Sequence, residues 1–284
     1  MDESTPSPAR ANDLAELPPV TLSLRYRSVY GAPPPRPIRL QVPGWGGSPQ
    51  KPADGASPQP WHCRPFMDGA SYGVELVYPY PAECRVVNDG AIRFVGDELE
   101  SAMEQAGIPH PFGAFSPDHY GMATALDLLP PPGYALRLEP HPRCFTAVTA
   151  DVPIAVPGHL QRFWPRQFFA VFRAPPLGAE HVFRPGEPYA QLLLVPDRQS
   201  YDVRAMEADE AADRARQDEQ VTMLAYLLSK RIWRSARGDW FDDKYKRLLR
   251  LFRRGGTDMV REHLQSVDDL VARRTAESRA RRDG

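Results

Sequence analysis

Apolar and polar residues alternate along several short stretches in the first two thirds of the chain. Val20, Leu22, Leu24 and Tyr26 are separated by single polar residues. A period of two is typical of a strand with one buried face. Residues 20–200 are therefore predicted to form a mainly β domain of sandwich or barrel type. Its further strands are predicted at residues 72–78, 123–129, 134–139, 144–149, 167–173, 181–184 and 189–195.

Two tight turns join pairs of these strands. Asn88, Asp89 and Gly90 lie between two short apolar runs, and these residue types tolerate the positive φ of a hairpin turn. A Pro-Gly pair ending at Gly186 separates the last two strands, so positive φ is expected at this glycine. Glu187 follows the turn and is predicted to be exposed.

Proline divides the chain near residue 200. All 32 prolines precede Asp197, and proline is excluded from helix interiors. Within the β-rich part, a single short helix is predicted at residues 97–106. Residues 1–19 are polar and rich in proline and alanine, which predicts a disordered tail. Residues 31–60 are predicted to form a Pro-rich surface loop, with a polyproline-type partner motif as the alternative.

Residues 201–284 show the helical period of 3.6 instead. We predict a helical appendage of about three amphipathic helices, separated at Gly238 and at Gly255-Gly256. The apolar faces of the three helices are Val221, Leu224, Leu228 and Ile232; Phe241, Tyr245, Leu248 and Phe252; and Val260, Leu264, Val267 and Val271.

The overall composition narrows the class of protein. With 35 Lys+Arg and 36 Asp+Glu the formal net charge is -1, so no global charge favours nucleic acid or acidic lipid. The three cysteines show no close pairing, which predicts a reducing compartment, the cytoplasm. No apolar run reaches the roughly 18 residues of a transmembrane helix, and the N-terminus lacks a signal-peptide pattern.

Charge is less even within the helical part. Residues 230–254 contain ten Lys/Arg and three Asp, whereas residues 201–229 contain seven acidic and three basic residues. A basic, aromatic-rich helix pair is suited to nucleic acid or to an anionic surface. Packing against the acidic helix, within one chain or between copies, is the interpretation we favour. Residues 201–274 therefore predict a homo-oligomer or a protein partner rather than nucleic acid.

Two sets of motifs resemble known families. The segments "PWHCRPFMDGASYGVEL" and "GEPYAQLLLVP" make residues 20–200 similar to an uncharacterised bacterial family, a domain of unknown function. Residues 131–134, Pro-Pro-Gly-Tyr, and residues 186–192 resemble a strand entry and a closing strand of the trimeric dUTPase and dCTP deaminase superfamily, whose fold is a β-clip. This resemblance implies that residues 181–196 close a compact β-fold, in which Gln191 satisfies backbone groups.

The catalytic half of the superfamily pattern is missing. Its members use a Pro-Arg-Ser phosphate-binding segment, where this chain has Pro-Arg-Cys around Arg143 after a small insertion. They also place a water-activating aspartate on the next hairpin, and residues 152–179 contain no Asp or Glu. The resemblance therefore implies a fold, with Arg143 and Gln191 as candidate ligand-binding residues.

Candidate metal ligands are found in the β-rich part. A cupin-like barrel that binds iron or zinc takes histidine and carboxylate ligands from adjacent strands. The chain has no His-x-His or His-x-Asp spacing, so solvent-facing or hydrogen-bonded histidines are the favoured interpretation. The candidates are His62, His119, His141, His159, His181 and Glu187.

A nucleophilic mechanism could use Cys63, Cys84 or Cys144, and Arg143 beside Cys144 would favour its thiolate. Small cysteines in β-cores are common, so core packing is the favoured interpretation. We interpret the chain as a ligand- or partner-binding module without identifiable catalysis. The alternatives are a metal-dependent, cupin-like enzyme and a degenerate nucleotide-binding β-clip protein.

Overall fold

The structure, a computed structural model, describes residues 21–38, 64–145, 151–228, 232–234, 240–242 and 244–283. These residues form two compact units, residues 21–200 and residues 201–283. The first unit is built mainly of strands and the second mainly of helices, which confirms the predicted fold class. The predicted tail and residues 39–60 of the Pro-rich loop lie outside the described residues.

The strands of the first unit pair in antiparallel sheets, and none of these sheets closes into a barrel among the described residues. In chain order the strands are β1 (Arg25–Ser28), β2 (Arg36–Pro37), β3 (Val74–Val77), β4 (Cys84–Asn88), β5 (Ile92–Val95), β6 (Phe112–Ser116), β7 (His119–Ala123), β8 (Leu126–Leu129), β9 (Tyr134–Pro140), β10 (Gly158–Leu160), β11 (Phe169–Arg173), β12 (Glu180–Phe183) and β13 (Pro188–Pro196). The sheet orders are β1-β8, β10-β9-β13-β3-β2, β11-β7-β6 and β12-β4-β5.

The predicted turns are confirmed, and one predicted strand is wrong. Strands β4 and β5 form the hairpin around Gly90, and Gly186 has a φ of 76° between β12 and β13. Residues 142–145 form a short 3-10 helix where a strand over residues 144–149 was expected, and residues 146–150 lie outside the described part. Pro142 explains the difference, because its fixed φ suits the first position of a helical turn.

Strands β6, β7 and β10 were not predicted as separate strands. Residues 112–123 carry two glycines and a polar turn, which obscure the alternation of apolar residues. The structure pairs Gly113 of β6 with Gly121 of β7. Backbone pairing therefore forms the β6–β7 hairpin, although the pattern of apolar side chains does not predict it.

Helices α1 (Arg64–Ala70) and α2 (Asp97–Ala106) lie between strands of the first unit. The prediction of α2 is confirmed, and it ends at Gly107 in the left-handed conformation with φ 65°. The prediction of a single helix is wrong, since α1 also forms. Pro65 is tolerated in its first turn, where backbone N–H groups need no helical partner, and the Arg64–Asp68 ion pair spans one turn.

Aromatic rings dominate the core of the first unit. Tyr120 of β7 stacks on Phe172 of β11 with ring centroids 5.3 Å apart. Phe183 of β12 meets Phe112 of β6 edge to face at 5.1 Å. The first contact lies within one sheet and the second joins strands of two different sheets, so aromatic packing brings these two sheets around one core. Strand β13 adds Leu192, which is 2% exposed, from its position between β9 and β3.

The second unit contains two helices and one pair of strands, which are α3 (Ala208–Leu228), β14 (Ile232–Arg234), β15 (Trp240–Asp242) and α4 (Lys244–Asp283). The predicted first and second helices were expected to include Ile232 and Phe241, and these residues instead pair in β14 and β15. Isoleucine, tryptophan and phenylalanine on both sides of a glycine favour a hairpin, which explains the correction.

The predicted break at residues 255 and 256 is confirmed. Gly255 and Gly256 have non-helical backbone angles inside α4, with φ of -157° and 65°. Helix α4 therefore consists of two helical segments. In the described part of the chain, no helix has both the length and the apolar character needed to cross a membrane.

Gly73 and Gly186 provide a test of how β13 is held. Both have positive φ, but a Cβ on Gly73 would lie 2.4 Å from the carbonyl oxygen of Leu192, whereas a Cβ on Gly186 would have no neighbour within 4 Å. We expect Gly186→Ala to lower the free energy of unfolding by about 1 kcal/mol through backbone strain alone. Gly73→Ala should cost clearly more, because β13 must also shift. Equal losses in urea unfolding would contradict this explanation.

Candidate functional site

A row of polar side chains crosses one face of the five-stranded sheet. Arg36, Glu75, Gln191 and Glu139 are partners in register on β2, β3, β13 and β9. Directly paired residues of a sheet point to the same side, so these four share one face. The opposite face carries the leucines of the core. Gln191, a predicted binding residue, thus lies in the middle of a polar face that is buried at Glu75 and Gln191.

Glu75 and His141 form a buried pair within this row, and each is 1% exposed. The Nε2 atom of His141 lies 3.2 Å from Oε2 of Glu75, and Arg36 Nε donates to Oε1 at 2.6 Å. His141 Nδ1 accepts the backbone N–H of Arg143 at 3.1 Å, so Nε2 carries the proton. Both ring nitrogens are engaged, and His141 attaches the turn after β9 to β3.

Arg143 and Glu187 meet beside the buried pair. Both terminal nitrogens of Arg143 lie 3.0 Å from Oε2 of Glu187, and Arg184 lies 3.7 Å from the other carboxylate oxygen. Glu187 is therefore half-buried, and the prediction of an exposed side chain is wrong. Its position after the turn directs it back toward the 3-10 helix, a contact that local sequence does not show.

Gln191 holds helix α1 against the sheet. Its side-chain nitrogen donates to the carbonyl of Gly69 at 3.3 Å and also to the carbonyl of Tyr72. The expectation that Gln191 satisfies backbone groups is confirmed. These carbonyls lie at the end of α1, where the last turn of a helix leaves such groups without helical partners.

Residues 69–73, Gly-Ala-Ser-Tyr-Gly, have the spacing of a hydrolase nucleophile elbow, in which a strand leads through a sharp turn into a helix. Here the order is reversed, since Ser71 follows α1 and precedes β3. Ser71 Oγ donates to the carbonyl of Met67 at 2.8 Å. The hydroxyl of Ser71 therefore caps the end of α1, and Ser71 does not lie on the strand-to-helix turn that positions a nucleophile.

The remaining candidate metal ligands lie apart from this row or at its edge. His119 Nδ1 on β7 is 3.3 Å from the hydroxyl of Ser116, and His159 on β10 is 3.1 Å from the amide nitrogen of Gln161. His62 lies outside the described residues. Within the described ranges, no three His, Cys, Asp or Glu side chains form a group that could hold a metal ion.

His181 is buried in the aromatic core. Its Nδ1 lies 2.8 Å from the hydroxyl of Tyr120, so the two side chains satisfy each other's polar atoms. Burial lowers the pKa of His181 to about 4, and the carboxylate of Asp151 opposes this shift. The histidine is therefore neutral at physiological pH and serves the core.

The two described cysteines are protonated thiols. Burial raises the pKa of Cys84 to about 12, and Cys84 belongs to the core. Burial also raises the pKa of Cys144 to about 11, an effect that outweighs the opposing charge of Arg143. The core-packing interpretation thus applies to Cys84, and Arg143 does not produce the thiolate considered from the sequence. Cys63 lies outside the described residues.

The outer face of the sheet β11-β7-β6 is largely apolar, with Arg173 and His119 at one end, and it was not predicted from the sequence. On β11, Ala170 and Phe172 point into the core, so Phe169 and Val171 point outward. Backbone hydrogen bonds place residues 154–156 beside β11, with Ala155 buried. The side chains of this surface, which we call the outer aromatic face, are Phe115, Ile154, Val156, Phe169 and Val171.

Two exposed rings cross the centre of the outer aromatic face. Phe115 is 58% exposed and Phe169 is 52% exposed, and their rings meet edge to face with centroids 6.2 Å apart. A Cβ on Gly121 would lie 2.3 Å from the ring of Phe115, so this ring lies flat on the backbone of β7. The sequence does contain an indication of this face. In the run "QFFAVFRA", most residues that point to either side of strand β11 are apolar.

Comparisons with known proteins find dUTPases among similar solved structures, at low sequence identity. No family model and no curated protein matches the chain. A native EIAV dUTPase is 11% identical over 65% of this chain and 100% of its own, with a TM-score of 0.32. A dUTPase of Staphylococcus bacteriophage 80alpha is 8% identical over 65% and 89%, with a TM-score of 0.35. A dUTPase from phage phi11 of S. aureus is 9% identical over 66% and 99%, also with a TM-score of 0.35.

At TM-scores of 0.32 to 0.35 these similarities carry no argument about the fold or the activity of this chain. The similarity to an uncharacterised bacterial family stays a prediction, because no family model matches.

Neutral His181 should make stability depend on pH. The folded pKa of about 4 lies below the ordinary value of 6.5, so the unfolded chain binds a proton first as pH falls. We expect this group to reduce the free energy of unfolding by the order of a few kcal/mol between pH 6.5 and pH 4. His181→Gln keeps a polar partner for Tyr120 and should show a shallower pH dependence in urea unfolding. The same slope in both proteins would contradict the assignment.

Proposed function

We propose that this chain is a binding module without catalysis, in which the β unit associates with a second copy of the chain through the outer aromatic face. Residues 201–284 are a helical appendage to this module. The observation that carries the proposal is the apolar outer side of a sheet whose inner side already packs in the core. A surface of this kind is typical of protein interaction sites.

The two sides of the sheet differ in what covers them. An antiparallel sheet with one face toward water normally alternates apolar and polar residues. Strand β11 instead has apolar residues on both of its faces. Only those on the inner face, Ala170 and Phe172, are buried within the fold. Fully burying a phenylalanine side chain contributes about 1.5 to 3 kcal/mol, and because Phe115 and Phe169 are already about half covered, covering the rest of each ring contributes less than this toward association.

A second copy is the partner that the charges permit. The formal net charge of the chain is -1, so two copies do not repel each other at long range. A twofold-symmetric dimer presents the same patch on both subunits, which suits an apolar face without opposing charges at its centre. Phe115, Phe169 and the glycine backbone beneath them provide such a face.

Three candidate groups in the described part of the chain, His141, His181 and Arg143, support a binding role because each contacts another side chain within the fold. His141 uses both ring nitrogens, His181 pairs with Tyr120, and Arg143 contacts Glu187 with both terminal nitrogens. A metal-dependent enzyme or a nucleotide-binding protein would require these contacts to break. We therefore place both alternatives after the binding module.

Self-association should depend on the two rings of the outer aromatic face. We expect the full chain to form an oligomer in size-exclusion chromatography with light scattering, and Phe115→Ser/Phe169→Ser to shift it to the monomer. The matched control is Phe66→Ser, which removes an exposed ring from α1 and should leave the oligomer intact. A monomeric wild-type chain, or equal dissociation in the control, would overturn the proposal.

Nucleotide hydrolysis should be absent. We expect no pyrophosphate release from dUTP or dCTP, because residues 152–179 contain no carboxylate to activate water and Arg143 is bound to Glu187. An active dUTPase serves as the positive control for the assay. Pyrophosphate release that is lost in Arg143→Ala would contradict this expectation and support the nucleotide-binding alternative.

A further inference from the structure

The first segment of α4, residues 244–254, has an unusual composition. Its eleven residues are six Lys or Arg and five apolar residues, with no acidic and no neutral polar side chain. We call it the basic segment. Gly255 and Gly256 end it with non-helical backbone angles, so the helix that follows does not continue its direction.

Four of the five apolar residues of the basic segment occupy one side of the helix, and Leu251 lies among the cations. At about 100° per residue, Tyr245, Leu248, Leu249 and Phe252 fall within an arc of roughly 100°. Tyr245 is 53% exposed and Phe252 is 40% exposed, and they lie seven residues apart on this side. The cations flank the apolar side and fill the opposite one.

Helix α3 packs against the other segment of α4, beyond the glycines. The side-chain nitrogen of Gln220 donates to Oδ2 of Asp268 at 2.6 Å. Leu224 of α3 is buried, as are Leu264 and Val267 of α4. These contacts leave Tyr245 and Phe252 of the basic segment exposed to solvent.

We propose that the basic segment binds the surface of an anionic lipid bilayer. In this arrangement the helix lies in the plane of the interface, with Tyr245 and Phe252 at the level of the headgroups. The exposed Arg250 and Arg254, together with the net positive charge of a segment that has no acidic residue, attract acidic headgroups. Aromatic rings with an apolar body are favoured at that depth.

Charge complementarity and the placement of the rings together favour a bilayer. A nucleic acid would contact the phosphate-binding cations and leave the rings of Tyr245 and Phe252 in water, because rings and most cations occupy different sides of the helix. A bilayer interface contacts the apolar side and the flanking cations at once. Only the bilayer therefore uses both features of the segment.

The experiment is co-sedimentation of the full chain with vesicles. We expect binding to vesicles of equal parts phosphatidylglycerol and phosphatidylcholine, none to phosphatidylcholine alone, and release at high salt. Arg250→Glu/Arg254→Glu should reduce the bound fraction at limiting lipid by about tenfold or more. Arg250→Gln/Arg254→Gln should give an intermediate loss, and Phe252→Ser should weaken binding without changing its salt dependence.

Matched controls separate this site from general charge effects. Arg273→Glu/Arg274→Glu makes the same charge change at exposed positions of the second segment of α4, and Met223→Ser removes an exposed apolar side chain from α3. Both variants should bind like the wild-type chain, with circular dichroism showing equal helix content. Equal losses in both arginine pairs would overturn the proposal. Binding to a DNA duplex without binding to anionic vesicles would overturn it in favour of nucleic acid.

Discussion

The β unit depends on strand β13 being enclosed by β9 and β3. Residues 190–192 of this strand pair on both edges, residues 193–196 pair with β9 alone, and Leu192 enters the core from one side. The turn at Gly186 is held by two backbone hydrogen bonds to Tyr78, which continues from β3. A strand bound at both edges and at its entry fixes the register of the polar row on its other face.

The polar row follows from that register. Once Leu192 faces the core, Gln191 must face the opposite side beside Glu75 and Glu139. Burial of a carboxylate without partners is costly, and Glu75 is stabilised there by Arg36 and His141. The side chains that the sequence suggested for ligand binding or catalysis therefore hold strands and turns together. Because these side chains contact one another, the exposed surfaces of the molecule are the better candidates for function.

Local sequence predicts much of the β unit because turns and alternation are local properties. The hairpin at Gly90, the positive φ of Gly186 and helix α2 need information from fewer than a dozen residues. The Arg143–Glu187 contact joins residues 44 positions apart, and local pattern contains no information about it.

Other errors have different physical causes. The β14–β15 pair replaced parts of two predicted helices because its apolar residues fit a helical period and a strand equally well. The outer aromatic face was missed because two-sided apolar strands are also expected in a fully buried sheet. Only the fold shows that one side of β11 is uncovered.

The two exposed apolar surfaces call for partners of different chemistry. The outer aromatic face has no charged residue among its five defining side chains. At its centre the ring of Phe115 covers Gly121, and this apolar surface is complementary to another apolar protein surface. The basic segment carries cations beside and opposite its rings, and these like charges would repel a second copy of the segment and are attracted to acidic partners. A bilayer with acidic headgroups supplies many such partners without fixed positions. Charge placement around each set of rings, rather than apolar area, therefore assigns the surfaces to a protein and to a membrane.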